Sequence, residues 1–204
     1  MRKSLKYLKV AAIAAAVVGG QAFAQGLDEA GAYLYSNYVT DDMLLNADKD
    51  ANNWLHYGRD YSATRYSPLA QINVHNITRM VPKWNLSFGV LDVQDSQAIA
   101  VNGTLYVTSS YNKVWSVEGA TGKVNWKHER ELPGDVFPKL CCDVVNRGVA
   151  PYRNKVYLAT LDAHVVALDN QTGKVVWDKK VGDYTYAETF TIMPMALRGK
   201  IIIG

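Results

Sequence analysis

Two stretches of the chain, NGTLYVTSSYNKVWSVEGATGKVNW (102–126) and RNKVYLATLDAHVVALDNQTGKVVW (153–177), align without a gap at an offset of 51 residues. Tyr106 falls on Tyr157, Val114 on Val165, and TGKVNW on TGKVVW. Each copy reads as three strands: an alternating run (Leu105–Val107 or Val156–Leu158), a second run (KVWSV or HVVAL), and a short strand ending in tryptophan. Glu118 or Asp169 opens the last turn, and Gly122 or Gly173 supplies the positive φ that a tight turn needs. Partial copies flank the pair. VPKWNLSFG around Trp84 reads as the last strand of a preceding unit, and LRGKIIIG, ending at Gly204, as the first strand of a following one.

Repeats of about 40 to 50 residues made of short antiparallel strands are the sequence sign of a β-propeller. A four-stranded blade cannot bury both faces alone, so blades stack in rings of about 4 to 8. The expected fold is therefore all-β, a propeller of tryptophan-docked four-stranded blades with only the first blades in these 204 residues. Residues 25–204 are read as the amino-terminal part of such a domain in a larger protein. A self-contained β-sandwich is the competing architecture, but it would leave the apolar strand KIIIG without a neighbour. Trp126 and Trp177 occupy equivalent places, where an aromatic docks one blade on the next.

Ahead of the repeats, MRKSLKYLK is basic, VAAIAAAVV is apolar, and QAFA places small residues at Ala22 and Ala24. This is the pattern of a secretory signal peptide over 1–24, with cleavage expected after Ala24. The apolar stretch is too short to span a bilayer, so no stable membrane insertion is expected. Loss of the leader removes Arg2, Lys3, Lys6 and Lys9, and the balance changes from 22 basic against 19 acidic residues to 18 against 19. No basic, aromatic-interleaved patch remains to suggest nucleic acid. Thr40, followed by Asp41 and Asp42, reads as the cap of a short helix.

Cys141 and Cys142 are adjacent. Neighbouring Cα atoms stand about 3.8 Å apart, short of the usual disulfide span of about 4.4 to 6.8 Å, so a bridge here would close a strained ring. Such strain persists where its surroundings over-determine it, typically at a functional site. Export permits oxidation. A reduced pair packed as small hydrophobes is the alternative. His56, His75, His128 and His164 stand at no metal-ligand spacing.

CCDVVNRG, the TGKxxW repeats and NWLHYGRDYSATRYSPLAQI together resemble the quinoprotein alcohol dehydrogenases, enzymes that use pyrroloquinoline quinone (PQQ) and include the methanol dehydrogenase large subunit. The likeness runs from Asn53 to Gly204. It implies an eight-bladed propeller with PQQ and a Ca²⁺ or lanthanide ion on its axis. It also implies periplasmic oxidation of a primary alcohol to the aldehyde, with electrons passed to a cytochrome c; homodimerisation is left open. By the same resemblance, Cys141 and Cys142 form a disulfide whose ring lies flat against PQQ. Arg147 then hydrogen-bonds the quinone oxygens and offsets the negative charge that grows during reduction. Without the resemblance, Arg147 reads equally well as half of an ion pair with Asp143.

Thr191, rather than nearby Thr189, matches a threonine that contacts a cofactor carboxylate. Asp95 stands where many members carry a glutamate near a carboxylate of PQQ; an acid there needs a shared proton or nearby cations, and a solvated strand-end aspartate is the competing reading. The family's metal-binding glutamate and catalytic aspartate fall beyond residue 204, so no catalytic residue and no metal ligand is expected within this chain. ERELPGDVFPKL leans by resemblance toward the ethanol-type enzymes. A non-catalytic scaffold propeller shares tryptophan repeats but has no use for CCDVVNR; an inactive copy of the enzyme is the other alternative.

Overall fold

A computed structural model of the chain describes residues 37–204. The leader expected over residues 1–24 lies outside the described residues. Two four-stranded antiparallel meanders dominate the structure. Blade 1 consists of β1 (Ile99–Val101), β2 (Thr104–Ser109), β3 (Lys113–Glu118) and β4 (Val124–His128); blade 2 of β5 (Ala150–Tyr152), β6 (Lys155–Ala159), β7 (His164–Asp169) and β8 (Val175–Lys180). A hairpin of β9 (Met195–Leu197) and β10 (Lys200–Ile202) follows. Each full copy thus has one strand more than its sequence pattern suggests. LRGKIIIG supplies the turn and second strand of its unit rather than the first.

The offset of the repeat is kept in the register. Ile99, Tyr106, Ser116 and Trp126 lie side by side across blade 1, and Ala150, Tyr157, Ala167 and Trp177 do so across blade 2. A register shift falls at the equivalent place in each, between Ser116 and Val117 and between Ala167 and Leu168. The small residue between tyrosine and tryptophan leaves room for their rings to lean together, with centroids 5.9 Å apart in blade 1 and 5.8 Å in blade 2.

One device joins successive units. Trp84 Nε1 donates to Gly119 O at 2.9 Å, and Trp126 Nε1 donates to Asn170 O at 3.0 Å. Each ring covers the glycine of the turn it docks on. A Cβ at Gly122 would come within 2.5 Å of Trp84, and one at Gly173 within 2.5 Å of Trp126. Both glycines have positive φ, 76° and 69°, so conformation and space both demand glycine. VPKWNLSFG forms no strand, yet Trp84 docks as its place in the repeat requires. Trp177 is 38% exposed, and among the described residues no turn glycine lies against it.

A polar clamp adds to the tryptophan contact between the blades. Arg130, just past β4, donates from Nε and Nη2 to the Asp162 carboxylate at 2.8 and 2.6 Å and from Nη1 to Asp178 at 2.7 Å. Burial works to raise the Asp162 carboxyl, but Arg130 and the Thr160 hydroxyl outweigh it and hold the pKa below the usual carboxylate range. Asp178 is lowered in the same way: Arg130 and His164 overcome its partial burial.

Residues 37–61 run as a strap along the far ends of the first strands. Thr40 caps the short helix α1 (Asp41–Leu45), accepting from Met43 N–H at 3.1 Å, as its sequence predicts. Val39 bridges Arg153, Trp54 bridges Ala100, and Tyr61 Oη donates to Ala196 O at 2.5 Å. Val39, Leu44 and Leu55 are buried in one cluster with Ile99, Tyr106 and Val156. The lead-in segments at the opposite ends of those strands carry the candidate site. Among the described residues no helix is long and apolar enough to cross a membrane.

Candidate functional site

Asp95, Arg147 and Thr191 sit on three successive lead-in segments, just ahead of β1, β5 and β9. The backbone fastens these segments together. Gln97 N–H donates to Arg147 O at 3.1 Å, and Arg147 N–H donates to Thr191 O at 2.9 Å. Side chains separated widely in sequence thereby converge on one guanidinium. Arg147 Nε meets Asp95 Oδ2 at 3.0 Å, and Nη1 donates to Thr191 Oγ1 at 2.5 Å. Thr191 is buried, whereas the Arg147 and Asp95 side chains keep 33% and 48% of their surface exposed. The cluster therefore has an anchored base and an open top.

The cysteines lie on the loop that leads into Arg147. A 3-10 turn at Phe137–Lys139 leads into them, and Asp143, in left-handed backbone at φ 61°, turns the chain back. Aspartate tolerates that region better than most residues, and its Oδ1 accepts from Val144 N–H at 2.7 Å. Tyr111 ties this loop to blade 1: its N–H donates to Val144 O at 3.0 Å and its ring meets Phe137 edge-on. Cys141 and Cys142 are free and exposed, with Sγ atoms 2.7 Å apart, so the disulfide expected between them is not closed in this structure. The hydrogen bond with Cys141 pushes the Cys142 thiol up, while the charge and hydrogen bonding of Arg147 pull the other way.

Of the five residues singled out from the sequence, Asp95, Arg147 and Thr191 are joined by direct contacts, while Cys141 and Cys142 meet each other on the loop that leads to Arg147. The ion partner of Arg147 is Asp95 rather than Asp143, whose carboxylate is occupied by its own turn. This also resolves the question raised by an acid at position 95: the cation that it needs is 3.0 Å away. Three neighbours escaped notice in the sequence, Gln97, Thr108 and Asn146. Two of them are marked by the repeat itself, since Thr108 aligns with Ala159 and Asn146 with Asp95. Among the described residues no group of three or more His, Cys, Asp or Glu side chains could hold a metal ion.

The family profile described as "PQQ: Glucose/ethanol/alcohol dehydrogenase, beta-propeller domain" matches residues 54–178. The chain is 43% identical over 188 residues to a quinoprotein ethanol dehydrogenase of Pseudomonas aeruginosa, covering 89% of this chain and 30% of the relative. The chain belongs to the PQQ-dependent alcohol dehydrogenase family. Among solved structures it is similar to a quinohemoprotein alcohol dehydrogenase from Pseudomonas putida HK5, with TM-score 0.78 and 31% identity over 82% of this chain and 25% of the other. It is likewise similar to a europium-containing methanol dehydrogenase, with TM-score 0.74 and 34% identity over 78% of this chain and 28% of the other. This chain of the PQQ-dependent family thus spans less than a third of the length of these relatives.

The donor set fits the cofactor of the PQQ-dependent family. A flat anion with ring oxygens asks for a planar cation and neutral donors at its edge and for polarisable atoms on its face. Arg147 and the Thr191 hydroxyl provide the first, and the exposed sulfurs the second. Asp95 alone would repel an anion, but Arg147 offsets its charge.

Proposed function

We propose that the full-length protein is a periplasmic, PQQ-dependent alcohol dehydrogenase that oxidises a primary alcohol to the aldehyde and passes electrons to a cytochrome c. The convergence of Arg147 on Asp95 and Thr191, on the loop that also holds the adjacent cysteines, carries this reading. When bound, PQQ with its Ca²⁺ or lanthanide ion supplies the two-electron acceptor and the Lewis acid. Arg147 binds and orients the quinone edge, and its charge stabilises negative charge arising there. Thr191 donates to a carboxylate. Cys141 and Cys142, joined in the oxidising periplasm, form a rigid wall under the ring. The metal ligands and the general base are contributed from beyond residue 204. Export rests on the leader pattern over residues 1–24, and the primary alcohol class on the resemblance and on relatives named as ethanol and methanol dehydrogenases.

Arg147→Ala in the full-length protein is expected to weaken PQQ binding and to lower dye-linked alcohol oxidation by at least about 100-fold, the scale of losing an oriented charge-stabilising donor. Parent-like binding and turnover by this variant would sink the reading. The purified 204-residue chain, given PQQ and either ion, is expected to show no turnover.

A further inference from the structure

Arg147 leaves a loop, yet the peptide that precedes it is fastened at both ends. Its N–H donates to Thr191 O at 2.9 Å. Its oxygen, Asn146 O, accepts from Thr108 Oγ1 at 2.8 Å. Thr108 spends its single hydroxyl proton on that bond, so Ser96 Oγ, 2.8 Å away, must be the donor to Thr108 Oγ1. Ser96 Oγ accepts in turn from Thr108 N–H at 3.1 Å. The Asn146 side chain braces the other flank, donating from Nδ2 to Ala159 O at 2.9 Å and accepting from Gly148 N–H at 3.1 Å.

Thr108 and Asn146 are 0% and 1% exposed, so their polar groups are fully removed from water. Buried polar groups are costly unless satisfied. Every bond of these two side chains goes to the backbone or hydroxyls of the lead-in segments or to the strand beside them. Their counterparts in the repeat behave differently. Ala159 has no hydroxyl, and Asp95 turns to Arg147 instead of to the backbone. The two blades therefore part company at the positions that hold the Asn146–Arg147 peptide.

We propose that Thr108 and Asn146, with Ser96, are positioning residues for the cofactor site: they fix the plane of that peptide and so the direction of the Arg147 guanidinium. This rests on the reading of Arg147 as a cofactor-binding group.

The test uses full-length apoprotein, with PQQ titrated by fluorescence quenching in excess Ca²⁺ and thermal unfolding recorded beside it. Thr108→Val keeps shape and removes the hydroxyl, and is expected to bind PQQ about tenfold more weakly, as loss of a buried hydrogen-bond partner implies. Thr108→Ser keeps the hydroxyl and loses a buried methyl; its unfolding temperature is expected to fall while its PQQ affinity stays within about twofold of the parent. A role confined to packing would make affinity follow stability in both variants, and that result overturns the proposal. If Thr108→Val does not fold, Ser96→Ala removes the donor to the same hydroxyl from a half-buried site and is expected to weaken binding about threefold; parent-like binding overturns the proposal. Arg147→Ala separates the two levels. Unchanged affinity in that variant defeats the functional reading itself, whereas a loss there with none in Thr108→Val or Ser96→Ala defeats only the positioning role.

Discussion

Blade 1 and blade 2 share a signature, a register and a bulge, yet their outer strands meet different surroundings. In β4 Trp126 is 8% exposed, seated on Gly173 and bonded to Asn170 O, while in β8 every position is exposed, Trp177 at 38%. Arg130 beyond β4 grips two aspartates of blade 2; its counterpart Val181 beyond β8 is exposed. The repeat thus specifies how a blade is made, and the adjoining blade determines how much of it is buried. Propensity and turn chemistry act inside the repeat, whereas the desolvation of its tryptophan is a property of two repeats together.

The largest expected effect tests that difference directly. In this chain Trp126→Ala should cost about 3 to 5 kcal/mol, as large-to-small core changes do, and Trp177→Ala about 2 kcal/mol, since more than a third of it already meets water. Urea unfolding of the two variants measures the gap, and equal losses would break the comparison. In the complete protein, where a following blade is expected to cover it, Trp177→Ala should rise to the Trp126 value.

Arg130→Met comes next. It strips the partner from the buried Asp162 carboxylate and should cost about 3 kcal/mol at pH 7. The folded-state pKa values of Asp162 and Asp178 are depressed, so the unfolded chain takes up more protons in acid. Their stabilisation is complete above the ordinary aspartate value of about 3.9 and is lost as pH falls below it. Without Arg130, burial raises Asp162 with only the Thr160 hydroxyl and His164 left to oppose it, so the variant's deficit against the parent is largest near pH 7 and narrows as pH falls through the aspartate range. Superimposable acid-unfolding profiles for parent and variant would show that the clamp contributes nothing.

A smaller contrast sharpens the seat itself. Gly173→Ala must accept a left-handed alanine and displace the buried Trp126 ring, roughly 2 to 4 kcal/mol, whereas Gly122→Ala meets the half-buried Trp84, which has room to swing, and should cost roughly 1 to 2 kcal/mol. Thermal unfolding of the two variants ranks them; the reverse order would mean that the rings do not set the requirement for glycine.

Much of this architecture was legible in the sequence because it is periodic. The turn acids, Gly122, Gly173 and the paired tyrosines announced the strands that they flank. The first strand of each blade did not stand out: Ile99–Val101 and Ala150–Tyr152 are three residues long, and Pro151 argues against a strand when read alone. At the site, CCDVVNRG marked Cys141, Cys142 and Arg147 through resemblance, which also led to Thr191 and Asp95. The partner of Arg147 was hidden, because Asp143 is close in sequence while Asp95 is brought near only by packing one lead-in segment on the next. Thr108 and Asn146 were visible only as mismatches between the copies, and a mismatch has no meaning until the bonds it makes are known.

The tryptophan seat has a consequence for how such a chain is made. The ring that finishes one blade rests on a turn encoded 51 residues after its counterpart in that blade, as Gly122 and Gly173 are spaced, so completion lags synthesis by one repeat. A ribosome-bound polypeptide would carry one unseated indole at its growing edge throughout translation, handing the vacancy forward as each new turn emerges. The length of the repeat then sets the interval in which that edge is open to a holdase or to the wrong neighbour.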